Sequence, residues 1–212
     1  METDKIQFKN ITKTYKLEDR KINVFDKLTF TIDPGEVTVL IGKSGCGKTT
    51  LLRLIAGLEE ADSGELIIPK DIRIGMVFQE DRLMPWLNCE KNVNLGIKKP
   101  DRRLTEEIFK MIGLTGYERA YPSQLSGGMR QRVALARTLI RRSNPLLMDE
   151  PFSALDAITR QEMQRELINI RKRTNTGIVF VTHDINEALL IGDRIVAFTE
   201  NGLCEYDDKT VL

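Results

Sequence analysis

The chain has 212 residues, 41% hydrophobic and 30% charged, the balance of an ordinary soluble globular protein with room for one sizeable domain. Its 32 basic and 31 acidic residues nearly cancel, which argues against a protein that coats nucleic acid. No apolar run approaches the roughly 20 residues that span a bilayer, and the N-terminal METDKIQFKN has no apolar signal core, so a cytosolic protein is expected.

In chain order, IQFKNITKTYK and LTFTID alternate apolar with polar residues and read as half-buried antiparallel strands. EVTVLIG is a denser apolar run, as in a strand covered on both faces, and feeds a glycine-rich turn and the helix KTTLLRLIAGL. GELIIP and IRIGMVF are two more strands. From about residue 88 to 142 the pattern turns helical, with Thr105 expected as the N-cap before EEIFKMIGL. A helix over 128–142 puts Met129, Val133, Ala136 and Ile140 on one face. There follow the strand PLLMD, a helix aligning Met163, Leu167 and Ile170, and the strand GIVFVT. Then come a helix opened by Asp184 with Glu187 three residues on, and the strand RIVAF. Alternating strands and helices imply an α/β fold with a mostly parallel sheet, into which the helical block is inserted.

GKSGCGKT, residues 42–49, matches G-x-x-x-x-G-K-[ST] in full, with a buried strand before it and a helix after it. Its glycines let backbone N–H groups turn toward an anion, and the helix N-terminus adds partial positive charge. Lys48 would reach the β- and γ-phosphates, and the Thr49 hydroxyl would hold Mg²⁺. Cys46 lies inside this loop, where the thiolate is favoured near a helix N-terminus. Alkylating it is expected to block nucleotide binding. With Cys89 and Cys204 far away in sequence, neither a disulfide framework nor a zinc site is expected.

NPLLMDE ends an apolar strand in two carboxylates. Side chains alternate along a strand, so Asp149 can join the Mg²⁺ shell while Glu150 deprotonates a water aimed at the γ-phosphate. His183, the one histidine, follows the apolar strand GIVFVT and would reach the same sheet edge to bond the γ-phosphate. Gln79 ends IRIGMVF in the same way, and its neutral amide can touch Mg²⁺ or the water. A second glycine motif, in YPSQLSGGMRQR, offers Ser126, Gly127 and Gly128 at a helix start, an anion site without a lysine.

In this order, GKSGCGKT, Gln79, LSGGMRQR, LLMDEPFSALD and VTHD resemble the nucleotide-binding subunit of ABC transporters over nearly the whole chain. QEDRLMPW and PFSALD make it most similar to importer ATPases of the nitrate, sulfonate and taurine type. The family pattern usually reads LSGGQ; here Met129 takes the fifth position and Gln131 follows two residues later.

The resemblance implies one ABC-type ATPase domain over 1–212, with a RecA-like P-loop core, an N-terminal antiparallel β subdomain and the helical subdomain at about 88–142. It implies ATP and Mg²⁺ as ligands. Tyr15 would stack on adenine, or else be a strand tyrosine packed on the core. Gly42, Ser44, Gly45, Cys46, Gly47 and Thr50 would line the phosphates with Lys48 and Thr49. Asp156, in SALD, would cross toward a partner subunit, cap the following helix, or both.

The second glycine motif then has a use. Two chains related by a two-fold axis can each present Ser126, Gly127 and Gly128 to the other's ATP, gluing a homodimer. By resemblance, residues 81–92 receive a helix of transmembrane permease subunits; alternatively Trp86 packs the helical subdomain. An extracytoplasmic solute-binding protein would act indirectly, and the chain would sit peripherally at the cytoplasmic face of the membrane. One cassette, no heptad stretch and balanced charge favour this reading over a soluble ABC ATPase of translation or DNA maintenance, with an exporter or lipid-moving ATPase as a third reading. No large C-terminal domain is expected after YDDKTVL.

Overall fold

The computed structural model describes residues 5–17, 20–199 and 202–206. The expectations about the two chain ends fall partly on residues 1–4 and 207–212, outside the described residues.

Two sheets organise the chain. The first is antiparallel, with β1 (Ile6–Leu17) between β2 (Arg20–Ile32) and β4 (Ser63–Ile67). The second runs in the order β5 (Gly75–Val77), β6 (Leu146–Asp149), β7 (Ile178–Thr182), β3 (Val37–Gly42), β8 (Arg194–Thr199), β9 (Gly202–Tyr206). It is parallel except for the β8–β9 pair.

The dense apolar runs are explained by what covers them. In β3, Val37, Val39 and Ile41 pack into a cluster on one face of the sheet, and Leu40 into a cluster on the other. The same alternation holds in β7, with Ile178 and Phe180 against Val179 and Val181. A strand buried on both faces has no polar side to show, which is why these segments read as continuous hydrophobic runs. One face is covered by α1 (Lys48–Ile55), through Leu51, Leu52, Leu54 and Ile55, and by the antiparallel sheet. The other face is covered by the remaining helices, among them α5 (Ala157–Thr174), through Met163, Leu167 and Ile170, and α6 (Ile185–Ile191).

Three helices, α2 (Cys89–Val93), α3 (Arg102–Met111) and α4 (Gly127–Leu139), lie in sequence between β5 and β6, which are neighbours in the sheet. Val133, Ala136 and Ile140 are buried on the expected face, and Met129 packs against the same cluster.

Some expectations are corrected. Thr105 is not an N-cap: α3 begins three residues earlier, capped by Asp101, whose carboxylate accepts from the Arg103 and Leu104 N–H groups. Thr105 is buried inside the helix, bonded to the Asp101 carbonyl and to Asn94. Helix α1 ends at Ile55, and β5 is confined to three residues. Strand β9 was not anticipated. Asp184 does cap α6, accepting from Asn186 and Glu187 N–H, but the Glu187 carboxylate accepts from Gln164.

Candidate nucleotide site

Strands β3, β6 and β7 are parallel, so their C-terminal ends open on one edge of the sheet. At the end of β3 the loop 43–47 turns into α1. Gly47 has φ +105°, and a Cβ there would lie 2.6 Å from Val24 Cγ1, so only glycine fits the turn. Lys48, the first residue of α1, is buried, and its ammonium donates to the Gly42 carbonyl at 2.7 Å and the Lys43 carbonyl at 2.9 Å. Cys46 Sγ lies 3.6 Å from the same nitrogen.

The next residue joins two strand ends. Thr49 Oγ1 donates to Asp149 Oδ1 at 3.0 Å. Burial pushes the Asp149 carboxyl up and the Glu150 charge adds to this, while Thr49, Arg53 and Lys48 pull the other way. Glu150 follows in the left-handed region, at φ +43°, a conformation that costs a non-glycine residue about 1–3 kcal/mol. Its N–H is held by the Val181 carbonyl, its own carbonyl accepts from Ser153 Oγ, and its carboxylate accepts from His183 Nδ1 at 3.1 Å. The two adjacent carboxylates face different partners because β6 ends at Asp149 and the chain turns at Glu150.

Lys48, Thr49 and Glu150 border a cleft of about 320 Å³, and Asp149 and His183 reach it through their bonds to Thr49 and Glu150. Ser44, Gly45, Gly47 through Thr50 and Glu150 give it a polar lining, and Tyr15, Ile22 and Val24 an apolar one. A triphosphate suits the first lining and a flat base the second. The hard-oxygen pair Thr49 and Asp149 suits Mg²⁺, which uses one or two carboxylates and keeps its remaining ligands from water and phosphate.

Other expected residues lie elsewhere. Gln79 lies two residues past β5, and its amide donates to Ser153 Oγ at 3.1 Å. Ser126, Gly127, Gly128 and Asp156 do not line the cleft. Ser126 is exposed and caps α4, accepting from the Met129 N–H at 3.3 Å. Asp156 caps α5, bonding Thr159 Oγ1 and the N–H groups of Ile158 and Thr159. The two motifs meet: a Cβ on Gly128 would come within 2.5 Å of Thr159 Cγ2. Leu83 is buried while Trp86 is 71% exposed, so Trp86 does not pack the helical segment.

Sequence reasoning passed over several contacts. Gln131, buried in α4, donates to the Phe78 carbonyl just before Gln79, and Arg130 pairs with Asp81 just after it. Glu59 accepts from the Tyr15 hydroxyl. Each joins distant segments, and no local spacing announces it.

Residues 25–153 match the ABC transporter family. The chain is 41% identical over 201 residues to an aliphatic sulfonates import ATP-binding protein, SsuB, of Bacillus cereus (strain ATCC 10987 / NRS 248), covering 90% of this chain and 80% of that one. It is 47% identical over 180 residues to SsuB 1 of Shouchella clausii (strain KSM-K16), covering 85% and 72%. Among solved structures, the dimeric post-hydrolysis state of the ATP-binding cassette MJ0796 bound to ADP and Pi superposes with a TM-score of 0.81 at 32% identity, covering 95% of this chain and 97% of that one. The chain belongs to the ABC transporter family. Within it, the chain is an ATP-binding and ATP-hydrolysing cassette, similar in sequence to ATP-binding subunits named for sulfonate import.

Proposed function

We propose that the chain is the ATPase subunit of a membrane importer for a small solute, working as an ATP-sandwich homodimer beneath separate transmembrane subunits. The observation that carries the proposal is the cleft itself. A complete phosphate loop, a Thr49–Asp149 pair and a Glu150–His183 pair converge at one sheet edge. The names of the SsuB relatives support import, and the MJ0796 dimer supports pairing. Among the described residues no helix is long and apolar enough to cross a membrane, which fits a subunit that sits against partners rather than in the bilayer. The segment 88–142 acts as the helical subdomain of a single ATPase domain.

In this mechanism Lys48 leaves its loop carbonyls for the β- and γ-phosphates, and loop N–H groups wrap the chain of phosphates. Tyr15 stacks on the base, with Ile22 and Val24 beside it. Thr49 and Asp149 would hold Mg²⁺, which would neutralise phosphate charge, and Gln79 would join them on leaving Ser153. Glu150 takes the proton from the attacking water, and His183 fixes its carboxylate and faces the γ-phosphate. Ser126, Gly127, Gly128 and Asp156 act across the two-fold axis on the other chain's nucleotide.

The test is co-purification. A tagged Glu150→Gln variant is expressed in its host, solubilised in mild detergent with ATP, and its partners are identified. A polytopic membrane protein is expected, and a solute-binding protein beside it narrows the solute. Only soluble partners across several detergents would sink the import reading. Aliphatic sulfonates, the cargo in the relatives' names, are the first solutes to try.

A further inference from the structure

The apolar lining of the cleft is tied to its phosphate-loop lining by a polar cluster. Tyr15 lies on β1, in the antiparallel sheet, while Thr50 lies on α1, next to the phosphate-loop residues Lys48 and Thr49. The Tyr15 hydroxyl donates to Glu59 Oε2, and Thr50 Oγ1 lies 3.3 Å from the same phenol oxygen. Glu59 sits in the turn after α1, where its carboxylate also meets Arg53 Nη1 at 3.1 Å and Lys13 Nζ at 3.7 Å. Its side chain is only 18% exposed. The Lys13 ammonium also donates to the Glu60 carbonyl and lies 5.3 Å from the Tyr15 ring centroid.

Burial alone would raise the Glu59 carboxyl, but hydrogen bonds from Tyr15 and Arg53 outweigh it and hold it below its ordinary range. Burial, then the Glu59 bond, push the Tyr15 phenol up. A neutral phenol therefore donates to an ionised carboxylate, a short and directional bond.

We infer that Glu59 is a positioning residue for nucleobase recognition: by tying the Tyr15 hydroxyl to the phosphate-binding helix, it fixes the ring in the orientation on which the base stacks. This rests on Tyr15 as the base platform, as proposed above. A ring held at both ends does not have to be ordered when nucleotide binds, and a platform ordered in advance binds more tightly. Glu59 is itself bonded to Arg53 of α1, so the anchor also ties the base platform to the helix that carries Lys48 and Thr49.

The experiment measures affinity of the full chain for ATP and for inorganic tripolyphosphate, both with Mg²⁺, by calorimetry. Tyr15→Ala should weaken ATP binding about tenfold or more. Glu59→Ala and Tyr15→Phe should each weaken it about 3–10-fold, and the double variant no further, because both remove one bond. Glu59→Gln, whose amide oxygen still accepts, should recover most of the affinity. Tripolyphosphate binding should be unchanged throughout.

If Glu59→Ala weakens tripolyphosphate as much as ATP, Glu59 merely supports α1 and the inference is overturned. If Tyr15→Ala weakens ATP binding but Glu59→Ala and Tyr15→Phe do not, the platform stands and the anchor fails. If Tyr15→Ala changes nothing, the platform reading fails and takes the anchor with it. Should Glu59→Ala not fold, Tyr15→Phe decides alone, since it removes only the hydroxyl.

Discussion

His183 Nδ1 lies 3.1 Å from Glu150 Oε2, joining the ends of two neighbouring parallel strands through side chains that sequence separates by 33 positions. A carboxylate only accepts, so the imidazole is the donor, and the pair fixes Glu150 beside the cleft on a backbone already held at φ +43°. Glu150→Gln keeps an acceptor for His183 and removes the base. Turnover should fall about 10²–10⁴-fold while Mg–ATP still binds. Phosphate release and nucleotide affinity measured side by side check this, and near-normal turnover in the variant would rule Glu150 out as the base.

The non-hydrolysing variant also exposes the dimer. Ser126, exposed at the start of α4 with two glycines behind it, has no phosphate to bind in its own chain's cleft. Glu150→Gln should dimerise with ATP and stay monomeric with ADP. Adding Ser126→Arg places a bulky cation at the cap, and should abolish the dimer while leaving ATP affinity intact. Light scattering reads the first quantity and calorimetry the second. A double variant that still dimerises would show that the serine–glycine motif does not act across the axis.

Asp149 sets a pH dependence with two opposite signs. Burial first, and Glu150 next, raise its carboxyl above the ordinary value of about 4. A folded-state value above the unfolded one means that this group's stabilisation of the nucleotide-free fold is complete at low pH and is lost as pH rises through the folded value. Mg²⁺ requires the ionised form, so its binding runs the other way and weakens as pH falls, beginning above the ordinary aspartate range. Titrating Mg²⁺ against a fixed ATP concentration at descending pH should show that loss, and Asp149→Asn should reduce the pH dependence to that of Mg–ATP alone, along with most of the Mg²⁺ effect. An Asp149→Asn protein with wild-type Mg²⁺ dependence would remove Asp149 from the metal shell.

What was legible in the sequence was whatever is chemically contiguous. GKSGCGKT carries its glycines, lysine and threonine in eight consecutive positions, and β3 and β7 announce two-sided burial by lacking polar alternation. Asp149 and Glu150 do take separate partners, but through the left-handed turn at Glu150 rather than through strand alternation. Contacts that join distant segments were not legible. Thr105 has the chemistry of a cap, yet Asp101 outcompetes it and Asn94, 11 residues away, takes its hydroxyl. Glu59 looks like a solvated turn residue until β1 brings Tyr15 onto it, and Gln131 like a displaced signature glutamine until Phe78 takes its amide.

The loop after Gln79 is held by α4, and this too can be tested. Arg130 Nε meets Asp81 Oδ2 at 2.9 Å, and Arg137 donates to the Arg82 carbonyl at 3.0 Å and the Asp81 carbonyl at 3.1 Å. Arg82 itself takes a left-handed φ of +47° and stacks 3.7 Å over the Phe78 ring. The two clamps should differ in weight. The Arg130–Asp81 side chains are 36% and 28% exposed, so solvent screens them, and Asp81→Asn, which spares the Arg130 bond to the Leu125 carbonyl, should cost only about 0–1 kcal/mol. Arg137 is more deeply desolvated, and Arg137→Ala removes two bonds to loop carbonyls, a loss of about 0.5–1.5 kcal/mol for each. The difference should appear in urea midpoints. Trp86 is the chain's one tryptophan and lies four residues beyond Arg82, so its fluorescence anisotropy reports the loop without a label. Arg137→Ala should lower that anisotropy while ATP affinity is kept, because neither arginine lines the nucleotide cleft. Unchanged anisotropy and an unchanged midpoint would show that the helix does not hold the loop.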